Sequence, residues 1–186
     1  KNYSKYISLI EEFLEKNNLS NDIKYIAIAE SSLRDGVISK KWATWIWQFM
    51  PDSWEANWLL IDENIDERYN IEKSTIAAIN YLQKLYLRFE SWPLVLASYN
   101  RWQTAISNAL INQWVDNYFD LELNNETNRY VFRILAIKYI LEDLKQKPII
   151  KNFLKNKNKK NSYEIIIWEI KSLENWCREN WYNYQK

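Results

Sequence analysis

Residues 71–89, IEKSTIAAINYLQKLYLRF, decide the fold class. Thr75, Ala78, Ile79, Leu82, Leu85, Tyr86 and Phe89 recur at three- and four-residue steps, which puts them on one face of an α-helix and no common face of a strand. The same period extends outward in both directions. Upstream, Tyr3, Tyr6, Ile7, Ile10, Phe13 and Leu14 form one stripe, with Glu11, Glu12 and Lys16 outside it. A second helix is expected from Asn21 to Glu30, with Ser20 or Asn21 as its N-cap. Downstream, Trp92 to Tyr99 reads as a short helix with Pro93 in its first turn, where proline is favoured. Glu126 to Leu144 reads as another long helix. Only Tyr163 to Ile167 has the look of a strand, and a last helix is expected from Ile170 to Asn180. The chain is therefore expected to be all-α: a helical domain over residues 1–145, a Lys/Asn-rich linker over 146–162, and a C-terminal extension over 163–186 that opens a following module. The missing initiator Met suggests a piece of a longer protein.

Composition narrows the chemistry. The 186 residues are 47% hydrophobic and 26% charged, enough for a packed core. Lys+Arg 25 against Asp+Glu 24 leaves a net charge of +1, which does not suit a nucleic-acid binder. No apolar run approaches the ~20 residues of a membrane-spanning helix. There is no His, so Ser-His-Asp and Cys-His nucleophile systems are excluded, and most zinc sites with them. Cys177 is alone and forms no internal disulfide. Proton chemistry, if the chain does any, falls to carboxylates.

Glu30 is the carboxylate best placed for it. It closes an apolar helix containing Ile23, Ile26, Ala27 and Ile28, at the negative end of the helix dipole. Apolar surroundings and the dipole both disfavour the ionised form and raise the pKa. A carboxyl that keeps its proton near neutrality is what a general acid needs to cleave a glycosidic bond. A solvent-facing Glu at a helix end is the alternative. The acidic run Asp62, Glu63, Asp66 and Glu67 reads as a solvated face, because it lacks the twelve-residue calcium loop and its turn Gly; neither metal nor cofactor is expected.

Three stretches carry a family resemblance: ESSLRDGVISKKWATWIWQFMP at 30–51, ASYNRW at 97–102, and ETNRYV at 126–131. In order and spacing they resemble the lytic murein transglycosylases of the goose-lysozyme-like superfamily, in particular the membrane-bound D type, across residues 20 to 143. The resemblance implies a lysozyme-like helical fold and a peptidoglycan glycan strand as partner, on the periplasmic or extracellular side of the cell envelope, with the chain a monomer. It implies that Glu30 protonates the oxygen between muramic acid and glucosamine units. The muramic acid's own C6 hydroxyl then closes onto C1, giving a 1,6-anhydro product without a second catalytic carboxylate. Gln48 and Met50 would line the glycan cleft. Asn100 would reach an N-acetyl group or cap its own loop, and Tyr99 would contact glycan or pack. Tyr130 would tune the proton of Glu30 or serve the core, while Ser31 would orient the carboxyl or end the helix. Glu126 would be structural, at a helix start where the dipole favours it. A non-catalytic peptidoglycan-binding module and a hydrolytic lysozyme are the rival readings.

The departures from the family share one form. Trp42, Trp45 and Trp102 stand at glycine positions of its motifs, and Trp54 and Trp58 align with two more, whereas Trp47 and Trp92 match its tryptophans. The chain has 1 Gly and 11 Trp, where ordinary usage would give roughly 13 Gly. The expectation is that many of these codons are UGA, read as glycine in the source and as tryptophan here. A sugar-stacking, Trp-rich surface is the competing explanation.

Overall fold

The computed structural model describes residues 3–33, 45–49 and 59–146. Six α-helices order the described residues: α1 (Tyr3–Lys16), α2 (Lys24–Ser31), α3 (Ile71–Phe89), α4 (Trp92–Asn100), α5 (Gln103–Gln113) and α6 (Asn125–Gln146). Short 3-10 turns at Asn21–Ile23 and Glu67–Tyr69 precede α2 and α3. No strand occurs among the described residues beyond an isolated bridge between Ile61 and Asp66. The fold is all-α, as the periodicity predicts.

Local chemistry sets the ends of these helices. The Asn70 side chain accepts from Glu72 N and Lys73 N, each at 3.0 Å, and so starts α3. Glu90 takes the left-handed conformation that ends it. Pro93 sits in the first turn of α4, where no backbone donor is lost. The side chain of Asn124 accepts from Thr127 N at 2.9 Å and satisfies an otherwise orphaned donor of α6.

The apolar faces then assemble. Ile7, Ile10 and Leu14 of α1 pack with α2 and α3 around Ile26, Ala78, Ile79, Leu82 and Leu85. On the other side α6 lies against α2 and α4, and contributes Tyr130, Ile134, Ile137 and Leu141 to the same core. A smaller cluster (Leu94, Ala97, Ile106, Tyr118, Leu121 and Val131) joins α4, α5 and α6. Burying side chains of this size stabilises by about 1.5–3 kcal/mol each, so α6 is part of the domain core.

Two expectations need correction. The helix predicted from Asn21 begins as a 3-10 turn whose N-cap, Ser20, accepts from Asp22 N at 3.2 Å; α-geometry starts at Lys24. Tyr86 leaves the α3 stripe, since it is exposed and faces Trp92 at 5.0 Å, whereas Phe89, half-buried, still packs against the core. Helix α5 was not predicted. The linker, the strand at Tyr163 to Ile167 and the helix at Ile170 to Asn180 lie outside the described residues.

Candidate active site

Helix α2 is almost wholly buried, from Lys24 through Ala29, and ends on Glu30 and Ser31. Its apolar sequence lets it run through the core and bring Glu30, half-buried, to the point where the chain turns out. Ser32 and Leu33 both have positive φ, so the backbone reverses immediately after the acid.

The motif stretches are tied to one another by hydrogen bonds. Ser31 Oγ lies 3.1 Å from the Ala27 carbonyl and 3.0 Å from the Ile46 carbonyl, and accepts from Leu33 N at 3.0 Å. Its single proton serves either carbonyl, so Ser31 both closes α2 and anchors residues 45–49. Tyr99 donates from α4 to the Trp47 carbonyl at 2.8 Å. The Trp47 indole N–H donates to Thr75 Oγ1 on α3 at 3.1 Å, inside the core. Thr127 at the start of α6 donates to Asn100 Oδ1 at the end of α4, at 2.9 Å. Finally the Tyr130 hydroxyl of α6 donates to the carboxyl of Glu30. First motif to second, second to third, third back to first: the ring closes on the acid.

The electrostatics follow from this geometry. Burial pushes the Glu30 carboxyl up from 4.5 to about 7; the hydrogen bond from Tyr130 and the charge of Arg133 oppose the rise, and Glu126 adds slightly to it. Burial, and then the neighbouring Glu30, hold the Tyr130 phenol well above its ordinary range, so it remains a neutral donor. The Tyr99 phenol is raised for the same two reasons. A carboxyl protonated near neutrality, with one hydrogen-bond donor fixed on it, has the make-up of a general acid.

Among the other residues singled out by sequence, Gln48 has φ 51° and donates from Nε2 to the Trp45 carbonyl at 2.6 Å. Tyr99 is held on the Trp47 carbonyl, and its ring packs with Phe49 and Tyr81 at 6.4 and 5.8 Å, so its place is in the frame of the site. Glu126 is exposed in the first turn of α6. Met50, Trp42, Trp54 and Trp58 lie outside the described residues. In the acidic run, Asp62 accepts from the backbone of Asn64 and Ile65 at 2.7 and 2.8 Å, Asp66 pairs with Arg68 at 2.7 Å, and Glu67 pairs with Lys73. Those carboxylates make turns and ion pairs.

Sequence reasoning missed Arg133, whose Nη2 donates to the Ala29 carbonyl at 2.6 Å. The signal was its position three residues after Tyr130, on the same face of the helix. Thr75 was also missed as a site support, because a threonine on an apolar stripe reads as core, and Thr127, quoted within the third motif, was given no role of its own.

An all-helical domain that delivers one carboxyl, protonated near neutrality, to the end of a buried helix is lysozyme-like in class. The chain belongs to the transglycosylase SLT domain family, whose profile matches residues 8–118. It is 29% identical over 146 residues to the membrane-bound lytic murein transglycosylase D of Escherichia coli, with the same identity in two strains, covering 76% of this chain and 32% of that protein. It is 25% identical over 130 residues to a putative tributyltin chloride resistance protein of Alteromonas, covering 69% of this chain and 58% of the other. The chain thus spans about a third of the E. coli proteins and somewhat over half of the Alteromonas one.

Proposed function

We propose that this domain is a peptidoglycan lytic transglycosylase acting on the β-1,4 bond between N-acetylmuramic acid and N-acetylglucosamine. Glu30 gives its proton to the glycosidic oxygen as the C1–O bond breaks. The resulting carboxylate takes the proton of the muramic C6 hydroxyl while that oxygen bonds to C1. The acid is regenerated, no water is consumed, and the products are a free glucosamine hydroxyl and a 1,6-anhydromuramic end. One carboxyl suffices because the nucleophile belongs to the substrate and arrives already positioned. The observation that carries this reading is the Tyr130 hydroxyl bonded to a Glu30 carboxyl that burial raises to about 7.

Tyr130 orients the acid's proton, and Ser31 fixes the helix end beneath it. Gln48 and Met50 are assigned to glycan binding by the motif they belong to, and Asn100 to ordering the loop that receives an N-acetyl group. Tyr99 supports this wall more than it touches sugar. The site of action is the cell envelope, on the periplasmic or extracellular side. Similarity to the E. coli transglycosylase supports this reading. Purified peptidoglycan digested by the parent should release anhydro-muropeptides, and Glu30→Gln should release none while still sedimenting with the glycan. Reducing muramic ends in place of anhydro ends would assign a hydrolytic lysozyme. Binding without any product would assign a binding module.

A further inference from the structure

Arg133 has no part in the chemistry just described, yet its position bears on the acid. Tyr130 and Arg133 occupy successive turns of α6. Tyr130 reaches the Glu30 carboxyl, and Arg133 donates to the Ala29 carbonyl, one residue earlier. The last carbonyls of a helix lack intrahelical partners, and a cation there opposes the negative end of the dipole. Ser32 N takes the Ile28 carbonyl at 2.9 Å, and Arg133 takes the next one. We infer that Arg133 is a positioning residue for Glu30, capping the end of α2 and supplying the positive charge that keeps the acid able to cycle between its two protonation states. The groups acting on the carboxyl are Tyr130, Arg133 and Glu126 from α6, and Tyr99 from α4 faces it as well; Arg133 is the cation among them.

This inference rests on Glu30 being the acid, so Glu30→Gln accompanies the test. Arg133→Gln keeps an amide donor for the Ala29 carbonyl and removes the charge. Arg133→Lys keeps the charge and removes the planar fork. The pH profile of kcat/KM on peptidoglycan is recorded for each. Removing the cation disfavours the carboxylate, so the alkaline limb of Arg133→Gln should move to higher pH. Arg133→Lys should keep the parent's limb, and Arg133→Met, which also removes the charge and should raise the limb in the same way, carries the test if the Gln variant does not fold. A Gln-variant limb coinciding with the parent's, or a displaced limb in the Lys variant, overturns the assignment. Product release by Glu30→Gln would instead overturn the reading beneath it.

A second observation is independent of the first. Five tryptophans lie among the described residues, and two of them, Trp45 at φ 61° and Trp114 at φ 57°, sit in the left-handed region. The other five non-glycine residues with positive φ are spread over all the remaining described positions. That region is strained for an L-residue, is a genuine outlier for a bulky one, and is reached without steric cost by glycine. Trp114 is the C-cap of α5, the place in a helix where glycine is most enriched, and it is 94% exposed. Trp45 is buried with its indole against Tyr6 and Tyr69, so there the backbone makes the argument and the packing does not. Trp47 and Trp92 behave differently: both have ordinary φ, Trp47 is bonded to Thr75, and Trp92 lies against Tyr86. Trp102, at φ −41°, is not sorted by its backbone.

We propose that the natural polypeptide carries glycine at 45 and 114 and tryptophan at 47 and 92, the first pair being UGA codons that its source reads as glycine. Position 114 follows from geometry alone. The coding gene and tandem mass spectrometry of the native protein test this together. UGA at 45 and 114, UGG at 47 and 92, and glycine residue masses at the first pair are expected. UGG or a tryptophan mass at 45 or 114 overturns it. In the chain as written, Trp114→Gly should raise Tm by about 2–4 °C by relieving ~1 kcal/mol of backbone strain. Trp47→Gly should lower Tm. An unchanged or lowered Tm for Trp114→Gly counts against the proposal.

Discussion

A carboxyl held near neutral pKa weighs on the fold, whatever chemistry it is proposed to serve. Glu30 gives up its proton near pH 4.5 when unfolded and near 7 when folded. Between those values the folded state binds more protons than the unfolded state, so stability falls as pH rises through the window and levels off above it. Gln at 30 cannot ionise and escapes that loss. Glu30→Gln should therefore match the parent's stability at pH 4 and exceed it at pH 8, by at most on the order of 3 kcal/mol. Urea midpoints at the two pH values read the difference, and a difference independent of pH would show that Glu30 keeps an ordinary pKa. Ser98 offers a second case in α4. Its hydroxyl is fully buried in α4 without a hydrogen-bond partner. Leaving a buried hydroxyl unsatisfied costs about 1–3 kcal/mol, so Ser98→Ala should stabilise the domain; a lower melting temperature would reveal a bonded partner.

At the scale of elements, α3 shows how far local sequence goes. Asn70 bonds two of its orphan donors, and Asn70→Ala should cost roughly 0.5–2 kcal/mol by denaturant titration. A cost near zero would mean that packing against α1 and α4 alone sets where the helix starts. Helix α3 was legible because a stripe through Thr75, Ala78, Ile79, Leu82 and Leu85 faces a single core. Helix α5 was not, because Ile106 is its one fully buried residue, so it has almost no apolar face to read. Its C-cap, Trp114, also hides the glycine signal that ordinarily marks such an end. The site divides in the same way. Glu30 was legible as the end of an apolar helix. The Tyr130 hydroxyl on its carboxyl joins residues 100 apart, which no periodicity encodes. Only the resemblance of the motifs put those residues in one place, and Arg133, outside the motifs, stayed hidden.

The whole molecule places its acid by closing a circuit. Ser31 ties α2 to residues 45–49, Tyr99 ties these to α4, Asn100 and Thr127 tie α4 to α6, and Tyr130 returns to Glu30. The family match ends at residue 118, before the last arm of that circuit begins. Yet α6 buries Tyr130, Ile134, Ile137 and Leu141 in the main core and Val131 in the smaller one. Losing five such side chains, at about 1.5–3 kcal/mol each, removes stabilisation comparable to the whole net stability of a domain this size, about 5–15 kcal/mol. Ending the chain after Asn117 or Tyr118 should therefore abolish cooperative unfolding as well as the bond to the acid. Ending it after Gln146 keeps every arm, and should leave a cooperative transition within a few degrees of the full chain, with the proposed product released as by the full chain. Thermal melts followed by circular dichroism distinguish the two. A cooperative melt from the shorter chain would move the boundary of the domain to before α6, and would require some other group to hold the proton of Glu30.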